Sequence, residues 1–263
     1  MSTSASIRPI GGSVRQTSRD QRPGTGRLVG VELRKMVDTR SGFWVPIAVA
    51  ALTALVSLIA ASNHGGNNGT FLHVLHAASI PGAYLLPVMG VLLVCSEYSQ
   101  RTTLTTYTLV PNRWRVLGAK LGASLIVATI ATVTALLFAV VAASVFGHAP
   151  GGTGSLPLTI ILQTWLFLGS GMIMGMAFGA AILVSAPAIV GYLLLPAVWN
   201  GLAGNISWLD TPARWLDSDN TLGPLTQQSL SGIQWAHAAA TFALWIGVPL
   251  VIGLTRIGRG DLD

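Results

Sequence analysis

The chain offers few residues able to do covalent chemistry. Its only lysines, Lys35 and Lys120, are followed by Met36 and Leu121, so no G-x-x-x-x-G-K-[ST] phosphate loop can be written through either. His73 and His76 are three apart, with His64 nearby. No His-Glu-x-x-His and no close carboxylate accompany them, and a zinc site would need such a set. Asp210, Asp217 and Asp219 fall in one acidic stretch and read better as a loop than as paired catalytic carboxylates. Cys95 is the single cysteine, which excludes an intrachain disulfide and points to packing. No nucleophile–base pair and no metal constellation emerges. The expectation is a non-enzyme, with no cofactor or metal held by this chain.

The most informative polar segment is Glu97–Lys120, a break between two long apolar runs. Four cations, Arg101, Arg113, Arg115 and Lys120, gather there in a chain that is only 9% charged. Soluble domains carry roughly a quarter charged residues. The deficit, with 51% hydrophobic residues and a mean hydropathy of +0.63, places the protein among polytopic membrane proteins. The net charge of +6 is a poor argument for nucleic acid, because the cations collect beside apolar runs, where anionic headgroups would meet them.

About 20 apolar residues are needed to cross a bilayer. Six runs qualify: Phe43–Ala61, Ile80–Ser96, Val116–Phe146, Leu156–Val184, Pro187–Gly204 and Trp235–Thr255. The expected fold is an all-α polytopic membrane protein, a six-helix transmembrane bundle occupying residues 27–263 behind a disordered cytoplasmic tail, 1–26. Between the fourth and fifth runs stand only Ser185 and Ala186, and Pro187 is the expected break. Two spans or one broken helix are both open there. No acid lies mid-span, which argues against a proton-coupled carrier.

Lysine and arginine set the orientation. Eight precede the first run, four lie between the second and third, and two follow the sixth, whereas the alternate loops hold only Arg214. Both termini are therefore expected in the cytoplasm. Trp44, Trp114, Trp199 and Trp235 fall near run ends, as interfacial indoles do; Trp165 and Trp245 lie deeper and are expected to pack.

Three elements must position any function. In Arg27–Thr39 the apolar residues Leu28, Val31, Leu33, Met36 and Val37 alternate with Glu32, Arg34, Lys35 and Asp38, the pattern of an amphipathic interfacial helix. A lipid anchor without a protein partner satisfies the same pattern. Residues 98–110, rich in threonine and ended by Pro111, form the candidate cytoplasmic docking element; an ordinary positively charged loop is the plainer alternative. Glu97 at the end of the second run has Arg101 one turn later as its expected partner, with a solvated end charge as the alternative. Gly171, Gly175 and Gly179 form a smooth stripe for helix packing, repeated in brief by Gly118 and Gly122. The acidic and apolar segment 205–234 is expected to rest as short helices on the outer interface, where it would serve as an exit cap or a plain loop.

In this order of elements the chain resembles the permease subunits of ABC-2 type ABC transporters, bacterial exporters. The local match is Ser96-Glu97-Tyr98, Thr102, Thr105-Thr106, Pro111, Arg113 and Ala119-Lys120, together with Glu32-Leu33-Arg34-Lys35 and Thr39-Arg40-Ser41 before the first span. Arg101 stands where the family usually has glycine. The resemblance implies a multi-pass protein of the bacterial inner membrane that forms a substrate pathway. A separate ABC ATPase subunit, carrying the ATP and magnesium, would dock on a coupling helix at 98–110 and on the interfacial helix. Glu97 and Arg101 would fix that element to its span, Thr102 and Leu104 would lie near the contact, and Arg113 and Lys120 would hold the third span at the headgroups; Tyr98 and Pro111 belong to the same docking set. A second permease copy or a homologous permease, and membrane lipids, would complete the assembly. A secondary transporter or an assembly and anchoring factor are the rival classes.

Overall fold

A computed structural model describes residues 24–63, 70–99, 113–147, 157–203 and 215–259. Every regular element among them is helical. They are α1 (Thr25–Asp38), α2 (Arg40–Ser62), α3 (Phe71–Ser99), α4 (Arg113–Val145), α5 (Leu158–Ile182), α6 (Ser185–Ala203) and α7 (Ser218–Leu222). A 3₁₀ turn (Gly223–Thr226), α8 (Gly232–Phe242), a π-helical turn (Ala243–Gly247) and α9 (Val248–Arg259) complete the order. Six helical stretches are long and apolar enough to cross a membrane: Gly42–Ser62, Phe71–Ser96, Arg115–Val145, Leu158–Ile182, Ser185–Leu202 and Gly232–Arg256. The protein is an all-α, multi-pass membrane bundle. Its flanks expose large apolar side chains, among them Leu55, Ile130, Val133, Leu195 and Val251. Hydrocarbon is the medium in which such a surface carries no cost.

The second span begins at Phe71 rather than at Ile80. His73, His76 and Ser79 lower the local hydropathy, but the turns they share put Val74, Leu75 and Ala78 into the core. Helix α5 lies at the centre, against α3. A Cβ on Gly175 would stand 2.0 Å from the Pro87 carbonyl oxygen, and one on Gly90 would stand 2.3 Å from that of Met172. The expected glycine stripe is thus the seam that lets two backbones meet. Gly122 meets Val29 of α1, whereas Gly118 faces open space.

The break between the fourth and fifth spans falls at Leu183, four residues before Pro187. Leu183 caps α5 in the left-handed region, φ 64°, and its N–H returns to the Gly179 carbonyl at 2.8 Å. This is the αL cap that usually takes glycine. Pro187 then sits harmlessly in the first turn of α6. Helix α6 folds back on α5, with the Tyr192 ring edge-to-face on Phe178 at 6.3 Å between centroids. The two runs are separate, antiparallel helices.

Cross-contacts fix the sense of each span. Helices α3 and α5 run the same way, since Gly82 meets Leu168 near one end and Val91 meets Gly179 near the other. Helix α4 opposes them: Lys120 meets Leu93, while Ala135 and Ala139 join Phe71 and Ile160. Gly253 meets Ala180, so the sixth span runs with α5. Successive spans therefore alternate. Every lysine and arginine among the described residues lies on α1 or in the part of a span nearest α1.

Candidate functional site

At the α1 end the amphipathic helix turns directly into the first span. Thr39 alone separates α1 from α2, and its hydroxyl accepts the Gly42 N–H at 3.0 Å. Gly42 is required at this corner, because a Cβ there would overlap the Met36 carbonyl. The corner lays α1 across α4 and the end of α3, with Met36 buried beside Leu93 and Ala123 and with Val29 and Leu33 packed against them.

Beneath α1 lies an ionic cluster. Glu32 and Lys120 are 4% and 6% exposed. Lys120 Nζ donates to Glu32 Oε2 at 2.8 Å and to the Leu93 carbonyl at 3.1 Å. Lys35 Nζ, at the half-exposed rim, donates to Glu32 Oε1 at 2.8 Å. One carboxylate thus joins α1 to α4, and one ammonium joins α4 to α3. Burial pushes the Glu32 carboxyl up, but the charge and hydrogen bonds of Lys120 and then Lys35 outweigh it and hold the group below its ordinary 4.5. A buried pair of this kind is costly to assemble but more costly to break, so it specifies where α1 sits.

The structure brings together Glu32, Lys35 and Lys120 of the expected site residues. Lys120, expected to hold the third span at the headgroups, is enclosed by protein and is the buried anchor of α1. Arg34 points away and makes a 3.7 Å pair with Asp38 on an exposed face. Glu97 and Tyr98 lie on the last turn of α3 and Arg113 opens α4, but their side chains lie outside the described residues. Arg101, Thr102, Leu104 and Pro111 also lie outside them, and with them most of the 98–110 element.

At the opposite end the segment after α6 packs as a cap. Asp217 caps α7 by accepting the N–H groups of Asp219 and Asn220 at 2.9 and 3.1 Å. The 3₁₀ turn drives Leu225 and Thr226 fully into the bundle, and the Thr226 hydroxyl meets His76 Nδ1 at 2.7 Å. Trp245 Nε1 donates to the Leu216 carbonyl at 2.9 Å, so the π turn is tied to the cap. Pro249 explains the wide turn: it withholds the N–H that the Trp245 carbonyl would accept in a regular helix. Trp165, also expected to pack, donates to Thr129 Oγ1 at 2.9 Å.

Between the cap and α3, α5, α6 and α8 lies a cavity of about 380 Å³. The Tyr192 hydroxyl donates to the Ala83 carbonyl at 3.0 Å, an acceptor orphaned because Pro87 has no N–H to return to it. Asn200 Nδ2 donates to Asp219 Oδ2 at 3.0 Å, joining α6 to the cap at the cavity wall. Asn200 Oδ1 and, off the cavity, Trp199 Nε1 are buried with no hydrogen-bond partner among the described residues. Asn200 and Asp219 were not legible as a pair, since nothing in their spacing joins a span to a loop. No protein-family model matches the chain, and no curated protein matches it.

Proposed function

We propose that the protein is the membrane-spanning permease subunit of an ATP-binding cassette exporter, driven by a separate ATPase subunit. The observation that carries this reading is the Glu32–Lys120 latch. It makes α1, the end of α3 and the start of α4 one mechanical unit, and residues 100–112 are tethered to that unit at both ends. A soluble subunit gripping 98–110 and α1 would move two spans together, and rigid-body motion of packed helices is the repertoire such transporters use. The clustering of cations at the α1 end supports a cytoplasmic location for that end and for both termini. The host membrane in this reading is the bacterial inner membrane, and a second permease copy or a homologue completes the pathway. ATP and magnesium belong to the partner.

The test is co-purification of the tagged full chain from its native membrane in mild detergent, with and without Arg101→Glu. The reading expects a stoichiometric subunit carrying a phosphate-binding loop, lost in the variant. A chain that emerges alone, or with a non-ATPase enzyme, overturns it in favour of a carrier or an assembly factor.

A further inference from the structure

The cavity at the cap end has a chemical signature. Five Phe, Tyr and Trp side chains line it: Tyr84, Phe167, Tyr192, Phe242 and Trp245. Its one carboxylate is Asp219, and no lysine or arginine lines it among the described residues. Asp219 has no cationic partner among them either; its only side-chain hydrogen bond there is to the neutral amide of Asn200, which fixes its orientation without neutralising it. The hydroxyl of Tyr192 is spent on a backbone carbonyl, which fixes that ring as a wall. Ile80, Met174 and Leu193 give it an apolar side, and His76, Ser170, Gln227 and Thr241 add neutral polar groups.

An oriented carboxylate with no cationic partner among the described residues, beside several π faces, favours a cation, and an apolar side favours a ligand with a hydrocarbon body. A volume near 380 Å³ fits one small amphiphile. We infer that this cavity binds an amphipathic organic ammonium, held by Asp219 and the aromatic walls. The ammonium belongs either to a free hydrophobic cation or to the headgroup of a membrane lipid. The inference concerns equilibrium binding and does not depend on which subunit powers the protein.

The test uses the full-length chain in maltoside detergent, titrated calorimetrically with 3-phenylpropyltrimethylammonium and with its neutral carbon isostere. Saturable binding of the cation is expected, with the isostere weaker by about fivefold or more, the upper range for one partly exposed charge pair. Asp219→Asn should weaken the cation by a similar factor and leave the isostere unchanged. Ala197→Phe, which puts a ring into the cavity from an exposed position, should abolish binding of both. Repeating the titration in nanodiscs separates the sources. Competition by phosphatidylcholine or phosphatidylethanolamine identifies a headgroup as the occupant, and unchanged affinity identifies a free cation. Equal binding of cation and isostere to the unmodified chain overturns the inference without any variant, as does a cation affinity unmoved by Asp219→Asn. Failure here leaves the co-purification result untouched, so the two readings fail separately.

Discussion

Replacing Lys120 with Met removes the ammonium that joins α4 to both α1 and α3 while keeping a long unbranched side chain. Glu32 stays buried with Lys35 as its remaining partner, and the Leu93 carbonyl loses a donor. Removing one member of a buried pair costs about 3–5 kcal/mol. Lys35 still holds one oxygen of Glu32, so the lower bound, about 3 kcal/mol, applies, and the equilibrium for lifting α1 rises roughly 150-fold. Amide hydrogen exchange reads this directly, because α1 is peripheral and opens without unfolding the bundle. Exchange in the middle of α1 should speed up by about that factor, while α5 is unchanged. The double variant Glu32→Leu/Lys120→Met should recover most of the protection, since an apolar replacement of the whole pair is often neutral. Exchange within threefold of the parent in Lys120→Met would refute the latch, as would a double variant no better protected than the single.

Other outcomes follow from the same geometry. The folded Glu32 carboxyl lies below its ordinary 4.5, so its contribution is fully present above that pH and lost as pH falls through the folded value. Protection of α1, corrected for intrinsic exchange, should be flat from neutrality down to the ordinary carboxyl range and collapse only in stronger acid. In Lys120→Met, burial dominates and the folded carboxyl lies above its ordinary value, so the sign reverses: protection of α1 should be weakest at neutral pH and rise as pH falls through the folded value. Gly175→Leu drives a side chain into the Pro87 backbone and should lower the thermal midpoint sharply or prevent recovery of folded protein, whereas Gly118→Ala, in open space, should leave the midpoint unchanged or slightly raised. Leu183→Gly relieves a left-handed residue and should stabilise by about 1 kcal/mol in denaturant titrations, and Leu183→Val should do the reverse.

The spans were legible because hydrocarbon imposes a one-dimensional rule, about 20 apolar residues per crossing, that needs no knowledge of partners. The glycine stripe was legible for a similar reason: small residues four apart have few uses in a membrane helix other than close packing. The α5–α6 break was misplaced at Pro187, because a proline is visible in sequence, whereas a left-handed Leu183 gives no compositional sign. The latch was missed because Glu32 and Lys120 are 88 residues apart. A faint signal existed. Glu32 falls on the same helical stripe as Val29 and Met36, and Lys120 shares a stripe with Val116 and Ala123, so each is a charge on a face otherwise apolar. Two such misfits of opposite sign are a pair worth testing. The cavity was illegible, since it is made by a cap that folds back across four spans.

The central claim is that the α1 end, with the segment between α3 and α4, is where a soluble ATPase engages the bundle. Photo-crosslinking in native membranes tests it most directly, with a benzophenone residue placed at Thr102 in one sample and at Ile233, on the opposite end, in another. The account predicts covalent capture of a subunit bearing a phosphate-binding loop from position 102 and none from position 233. Capture of that subunit from 233, or capture at 102 of a protein without such a loop, would contradict it.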